Sequence, residues 1–317
     1  MQMKVFESSD TNVKKFVFEW FDHDAMDKGI AEAVLYRYGS YKKRTVICCS
    51  VICCSVMSGC PVGCTFCGTG KFFTRRLDSD EIVQQVSKVL STIDCKTDDI
   101  EKFQIMFMSM GEPMLNYPNT ERAIREPMLN YPNTERAIRE LHELYPNAQL
   151  LVSTSAPEPS TLSWLYEFIT LSKQIDKVGL QFSVHESTDE ARKKLITTNT
   201  LTLRQIAAVG ETWSAFVGRK PFFNYCVHTG NDTQEDADRL ARLFDPAVWC
   251  ITLSVICQKD ESVKNSIDRQ LEIIKAFEQK ILAKGFDLRV FNPAGQDDIG
   301  GGCGQLWYYQ KWLKDNK

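Results

Sequence analysis

No apolar run in this sequence approaches the length of a membrane span, and the amino terminus, MQMKVFESSDTNVKK, lacks the apolar segment of a secretory signal. Both absences lead us to expect a cytoplasmic protein. A strong charge bias is also missing: the formal net charge is −3 and the isoelectric point is near 5.9. There is therefore no overall electrostatic footprint for a nucleic-acid polymer, and any such binding must rest on local basic patches. Histidine is scarce, and its four residues (His23, His142, His185, His228) fall at no zinc-finger spacing. What is present is the composition of a globular protein, 317 residues with 43% hydrophobic and 25% charged side chains. Twelve cysteines stand out. In a reducing compartment they point to metal ligation or thiol chemistry rather than to disulfides.

Two perfect tandem repeats interrupt the chain: VICCS at 46–50 and 51–55, and EPMLNYPNTERAIR at 112–125 and 126–139. Each is single and short, unlike the diverged units of a solenoid. They are recent duplications or are absent from the molecule itself. With both copies present, Pro127 should break a helix begun at Asn119.

Elsewhere, strand-like and helix-like runs alternate. KKFVFEWF and AEAVLYRY read as the arms of an N-terminal hairpin around the polar DHDAMDKG connection. SDEIVQQVSKVLSTI carries a Ser/Asp cap and helical spacing of apolar residues. Strands are expected at FQIMFMSM, AQLLVSTS, VGLQFSVH, FFNYCVHTG, WCITLSVI and DLRVFN. Helices are expected at NTERAIRELHELY, STLSWLYEFI, TDEARKKLI, QEDADRLARLF and SIDRQLEIIKAFEQKILAKG. This α/β order implies a parallel sheet covered by helices, closed as a barrel or partial barrel, with its chemistry at the carboxyl ends of the strands. Those ends carry CxxxCxxC (60–67), Gly111-Glu112-Pro113, Ser153-Thr154-Ser155, Ser183-Val184-His185 and GGGCGQL.

Cys60, Cys64 and Cys67 are spaced to wrap a short loop around one face of an iron–sulfur cluster, with no fourth ligand in the loop. A zinc ion completed from a distant part of the chain and chance core cysteines are the alternatives. A metal with an open coordination position can bind substrate, whereas a saturated one only holds a fold.

The motif Cys60-x-x-x-Cys64-x-x-Cys67, with Phe66 before the third cysteine, resembles the signature of the radical S-adenosylmethionine (SAM) superfamily. Further stretches resemble its RlmN/Cfr branch of RNA adenine methyltransferases over residues 14 to 310: MSMGEPMLN, LVSTS, FSVH, TGKFFTRRLDSDEIVQQV and QDDIGGGCGQL. The resemblance implies a partial (β/α)6 radical SAM barrel over 46–317 and a β-rich extension over 1–45. Its cofactors are a [4Fe-4S] cluster on Cys60, Cys64 and Cys67, and SAM held by Gly111, Glu112, Ser153, Ser183 and His185.

The implied reaction proceeds through the protein. Cys303 receives a methyl group from a first SAM. A second SAM yields a 5′-deoxyadenosyl radical that abstracts hydrogen from this S-methyl group, and the methylene radical adds to an adenine ring carbon, C2 or else C8. Cys53, seven residues before Cys60, resolves the protein–RNA adduct by a disulfide with the methylated cysteine, and Glu32 in AEAVLYRY accepts a proton. The resemblance selects Glu112 over Glu126 and Cys53 over Cys48. The implied partners are ribosomal or transfer RNA and an electron donor such as flavodoxin or ferredoxin. A nucleotide or peptide substrate for the same chemistry, and a non-catalytic metal-binding protein, are the competing readings.

Two features depart from the branch. Thr252 and Cys257 occupy the strand that ordinarily supplies a SAM-contacting asparagine, and the family's preceding helical domain, of about a hundred residues, is expected to be missing. Lys42-Lys43-Arg44, Arg75-Arg76 and Lys193-Lys194 are candidate phosphate contacts.

Overall fold

The computed structural model describes residues 2–8, 11–22, 27–37, 40–41, 44–45, 49–116, 133–158, 160–256, 263–291, 299–300 and 306. Three strands open the chain: β1 (Gln2–Glu7), β2 (Val13–Asp22) and β3 (Asp27–Arg37). They form an antiparallel meander in which Lys15 lies opposite Val34 and Val17 opposite Glu32. The short pair β4 (Ser40–Tyr41) and β5 (Arg44–Thr45) follows.

Next come β6 (Cys49–Cys54), then β7 (Met57–Gly59) and β8 (Phe73–Arg76), which pair with each other around the cysteine loop. The remaining strands are β9 (Lys102–Phe107), β10 (Gln149–Thr154), β11 (Val178–Ser183), β12 (Phe222–Val227), β13 (Cys250–Val255) and β14 (Asp287–Phe291). One ten-stranded mixed sheet runs β1-β2-β3-β6-β9-β10-β11-β12-β13-β14. Every pair from β6 onward in that order is parallel, while β3 joins β6 antiparallel, so the N-terminal meander continues the same sheet.

The crossover helices are α1 (Ser79–Leu90), α2 (Asn133–Leu144), α3 (Ser160–Gln174), α4 (Asp189–Leu195), α5 (Leu203–Val217), α6 (Gln234–Leu243) and α7 (Val263–Leu282). Local chemistry fixes where several begin. Asp78 and Glu81 form a reciprocal capping box on α1, with the Glu81 amide donating to Asp78 Oδ1 at 2.8 Å and the Asp78 amide to Glu81 Oε2 at 3.0 Å. Thr202 and Gln205 do the same for α5, which ends at Gly218 with φ +74°. That helix went unrecognised in the sequence, although its cap and its terminating glycine are both legible there. α2 starts inside the second EPMLN repeat, and the helix expected from Asn119 with its break at Pro127 lies outside the described residues.

The apolar stripes of these helices bury one face of the parallel strands. Trp164, Trp213, Trp249, Phe223 and Phe277 anchor that core. All six residues of β13 are buried, with Ile251, Leu253 and Val255 in the core under the helices and the alternate residues on the opposite face. Among the described residues no helix is long and apolar enough to cross a membrane.

Candidate functional site

Alternation along the parallel strands builds the site. Successive residues point to opposite faces of a strand, so pairs two apart share the surface away from the helices. Val51 and Cys53, Gln181 and Ser183, Asn224 and Cys226, Thr252 and Ser254, and Arg289 and Phe291 all line one cavity, together with Val34 and Tyr36 of β3. The cysteine loop and residues just beyond β9, β10 and β11 close its mouth.

Cys60, Cys64 and Cys67 line this cavity and are free, half-buried thiols. Their loop is pinned from two sides. The Cys60 amide donates to Phe72 O at 2.9 Å, and the Thr65 amide to Leu195 O at 2.9 Å. Gly59, at φ +81°, lies where a Cβ would come within 2.2 Å of Phe72 O, so only glycine permits the approach. Burial, reinforced by Cys67, Cys60 and Glu112, pushes the Cys64 thiol up; burial, with Cys67 and Glu112 adding to it, pushes Cys60 up to about 12. Among the described residues no three His, Cys, Asp or Glu side chains gather as around a single ion. Cys60, Cys64 and Cys67 present their three thiols to one cavity, an arrangement that suits a cluster whose irons are held one per thiolate.

Glu112 reaches the same wall while buried, its carboxylate fully engaged. Oε1 accepts from Thr154 Oγ1 at 2.6 Å and the Met114 amide at 3.1 Å, and Oε2 from the Ser155 amide at 2.8 Å and Ser155 Oγ at 2.7 Å. Burial pushes its carboxyl above the usual range, and these four donors oppose that shift. Gly111 precedes it at φ +99°, where a Cβ would lie 2.6 Å from Met57 Cβ. Ser153 and Ser183 also line the cavity.

His185 is 4% exposed, and its Nδ1 has no hydrogen-bond partner among the described residues. Its backbone is left-handed (φ +62°), a conformation unusual for a side-chain-bearing residue. Burial, with Arg192 adding to it, lowers its pKa to about 3, and Phe66 meets the ring edge-on with centroids 5.6 Å apart. The imidazole is therefore neutral at physiological pH. An orphaned buried nitrogen on a cavity wall is what a polar ligand would satisfy.

Arg192, which the sequence did not single out, ties these strand ends together. Its guanidinium donates to Ser155 O at 2.7 Å, Ser183 O at 2.9 Å, Thr200 Oγ1 at 2.6 Å and Leu201 O at 3.1 Å. Burial lowers its pKa to about 10, which leaves it charged.

The other expected site residues divide. Cys53 is buried in the cavity wall, opposite Val34 on β3 and Met106 on β9. Cys303 lies outside the described residues, as do Cys48, Glu126 and Cys257. Ile299, Gly300 and Leu306, which flank Cys303 in sequence, are buried, and Leu306 belongs to the wall. Glu32 is fully buried on the same face of β3 as Val34 and Tyr36, but it is not part of the wall; Lys15 Nζ lies 2.8 Å from its Oε2. Thr252 does line the wall, where its hydroxyl accepts from Arg289 Nε at 2.8 Å.

Of the basic candidates, Arg75 is engaged by Glu81 at 2.7 Å through both terminal nitrogens and stacks over Trp20. Lys193 and Lys194 are exposed, and Lys42 and Lys43 lie outside the described residues. Gln181, Asn224, Ser254 and Arg289 were missed in the sequence. The signal that could have found them is a polar residue at every second position of an otherwise apolar strand, as in Phe223-Asn224-Tyr225 and Leu253-Ser254-Val255. Asn224 Oδ1 accepts from Ser254 Oγ at 2.7 Å across two adjacent strands.

No family model matches the chain. Individual proteins do. A probable dual-specificity RNA methyltransferase RlmN of Deinococcus deserti is 31% identical over 310 residues, covering 96% of this chain and 80% of that protein. One of the same description from Dictyoglomus turgidum is 27% identical over 302 residues, covering 94% and 77%. The ribosomal RNA large subunit methyltransferase N of Nitrosopumilus maritimus is 26% identical, covering 94% and 78%. Among solved structures, a radical SAM methyltransferase from Sphaerobacter thermophilus superposes with a TM-score of 0.70 at 26% identity, over 97% of this chain and 81% of that one.

Proposed function

The chain belongs to the RlmN-type radical SAM methyltransferases, and we propose that it methylates a ring carbon of an RNA adenine, C2 with C8 as the other regiochemistry, through an S-methylcysteine on Cys303. The relatives' names support an RNA substrate, and one of them a ribosomal RNA; a transfer RNA is the other candidate. Residues 46–317 form the partial (β/α)6 barrel of this reading, and 1–45 its β-rich extension. The observation that carries it is the meeting of the cysteine loop, Glu112, His185 and Cys53 on one cavity, with Leu306 of the CGQL segment in the same wall.

In this reading Cys60, Cys64 and Cys67 hold a [4Fe-4S] cluster, and Glu112, Gly111, Ser153, Ser183 and His185 hold SAM. When bound, cluster and SAM supply the methyl group and, on one-electron reduction by a flavodoxin- or ferredoxin-like donor, the radical that a deactivated aromatic carbon requires. The chain's own residues do the rest. Glu112, oriented by Thr154 and Ser155, presents its negative charge to an ammonium, which takes its place on the carboxylate by displacing one of the two hydroxyl donors. Neutral His185 offers Nδ1 as a hydrogen-bond acceptor or donor according to its tautomer. The largely apolar walls exclude water from reactive species.

Cys303 acts as nucleophile towards the methyl group. The Cys53 thiolate attacks the Cys303 sulfur, forming the S–S bond as the bond from that sulfur to the transferred carbon breaks, and so releases the RNA. Glu32 receives the proton lost from the ring carbon only if the substrate or one bridging water reaches past the wall to it, because it does not itself line the cavity. A reacting adenine in structured RNA must be flipped out to reach this cavity.

The test is anaerobic reconstitution with SAM, a reductant and ribosomal or transfer RNA. Mass spectrometry of nucleosides should show methyladenosine, and mass spectrometry of peptides should show a methyl group on Cys303. Cleavage of SAM without methyl transfer to either RNA would overturn the RNA reading, and an unmodified Cys303 in active enzyme would overturn the mechanism.

A further inference from the structure

Lys15 is charged and fully buried, so each of its N–H groups must find a protein partner. Its Nζ lies 2.8 Å from Glu32 Oε2 and donates to Gly300 O at 3.2 Å. Strand register explains the first contact: Lys15 faces Val34, two residues beyond Glu32, so the two side chains are diagonal neighbours on one face of the β2–β3 ladder. The second contact bridges 285 positions of sequence. Around it Val13, Val34 and Tyr36 pack against Ile299 and Leu306 in a single apolar cluster. The β2–β3 surface is thus the platform on which the chain rests on both sides of Cys303, three residues from Gly300 and three from Leu306.

We propose that Lys15 is a positioning residue whose one ammonium holds both the Glu32 carboxylate and the Gly300 carbonyl, and so keeps the proton acceptor and the chain leading to Cys303 in register with each other. The inference rests on the roles given above to Glu32 and Cys303. Gly300 takes a left-handed turn (φ +60°), and the ammonium donates to its carbonyl there. A relay that passes a carbon between SAM, a cysteine and a base depends on sub-ångström placement of that cysteine. Removing the tether should affect that placement before it affects the fold.

The experiment uses the holoenzyme with Lys15→Met, Lys15→Arg and the paired variant Lys15→Met/Glu32→Met. The paired variant replaces a buried ion pair by apolar groups of similar size, a change that buried pairs tolerate well, so it remains informative if Lys15→Met alone does not fold. Two quantities are read: amide hydrogen exchange of the peptide spanning 296–306, and the fraction of Cys303 carrying a methyl group relative to SAM cleaved. Both Lys15→Met variants should exchange about tenfold faster in that peptide and carry about fivefold less methyl per SAM cleaved, and Lys15→Arg should restore both to within about twofold. A merely structural lysine would lower the melting temperature and leave the methyl-to-cleavage ratio unchanged. Wild-type exchange and methylation in a folded paired variant would overturn the proposal. Absence of Cys303 methylation in the wild type would instead overturn the S-methylcysteine reading, while the exchange measurement would still decide whether Lys15 tethers the segment.

Discussion

Ser155 grips Glu112 twice, its amide donating to Oε2 at 2.8 Å and its hydroxyl to the same oxygen at 2.7 Å. A carboxylate that arrives on the strand end after β9 is thus oriented by the strand end after β10. The opposite oxygen is held by a main-chain donor as well, the Met114 amide. Both carboxylate oxygens therefore face an N–H, which bears directly on substitution.

Glu112→Gln cannot be accommodated in either orientation, because its NH2 group must point at the Ser155 amide or the Met114 amide. We expect a loss of about 1–3 kcal/mol in urea unfolding and SAM binding weaker by about tenfold to a hundredfold, the worth of about 1.4–2.7 kcal/mol. Calorimetric titration of the reconstituted protein with SAM checks the second figure. Unchanged affinity would remove Glu112 from the SAM site.

The same sequence patterns that marked Glu112 marked most of the fold. Strand–helix alternation was legible because every crossover helix that was recognised has an apolar stripe and a polar start, as in Ser79–Leu90. α5 was passed over because Gly210 and the aromatic residues Trp213 and Phe216 dilute its helical pattern, even though Gly210 is there to admit Trp249, whose ring would lie 2.1 Å from a Cβ. At the site, motif residues were found and scaffold residues were not. Arg192 sits in TDEARKKLI among two other cations and two acids, where charge reads as a solvated helix face; only the fold reveals that it turns inward. Lys15 is hidden for a similar reason, one of two adjacent lysines on a strand whose partner Glu32 is reached only through strand register.

Arg192→Lys tests the scaffold. A lysine ammonium cannot span the two strand-end carbonyls, the Leu201 carbonyl and the Thr200 hydroxyl that the planar guanidinium serves together. Denaturant unfolding should show a loss of about 2–4 kcal/mol. SAM affinity should fall as well, because Ser155 and Ser183 are the residues whose carbonyls are released.

His185 gives the protein a pH dependence of defined sign. Its folded pKa of about 3 lies below the ordinary 6.5, so between these values the unfolded chain binds a proton that the folded chain does not. Stability is therefore gained as pH rises through that window and lost as it falls. Glu112 acts oppositely: its raised carboxyl pKa makes the folded chain the stronger proton binder just above the ordinary 4.5, so its contribution diminishes with rising pH. Replacing His185 with Gln should flatten the rise in stability from pH 4.5 to 6.5 by up to about 1.4 kcal/mol per pH unit, one proton's worth. Urea unfolding at several pH values measures this, and an unaltered slope would show that His185 titrates normally.

Cys64→Ser should separate cofactor from fold. Cys64 is half-buried and lies outside both apolar clusters, so far-UV circular dichroism should stay as in the parent protein. Iron content should fall at least about tenfold with loss of a thiolate ligand, and reductive SAM cleavage with it. Full iron content and cleavage in the variant would remove Cys64 from the ligand set.

Deletion of residues 117–130 asks whether the second EPMLNYPNTERAIR copy is needed. The described structure uses the two copies for different tasks: the first supplies Glu112 and the turn Pro113–Asn116, the second supplies the start of α2 at Asn133. Removing these fourteen residues joins Asn116 to Tyr131 and leaves one intact copy, with Glu112 and the whole of α2 retained. The stretch between Asn116 and Asn133 falls from sixteen residues to two. By loop-closure entropy three halvings are worth about 1–2 kcal/mol in favour of the shorter chain, or about 2–4 °C in melting temperature for each kcal/mol in a domain of this size class. We expect the deletion variant to be at least as stable as its parent and to bind SAM equally well. A natural protein whose intact mass is already short by this segment would be the same molecule as the variant. Loss of folding or of SAM affinity would show instead that the inserted copy carries contacts of its own, and that the path from Glu112 to α2 is not the simple two-residue link that a single copy predicts.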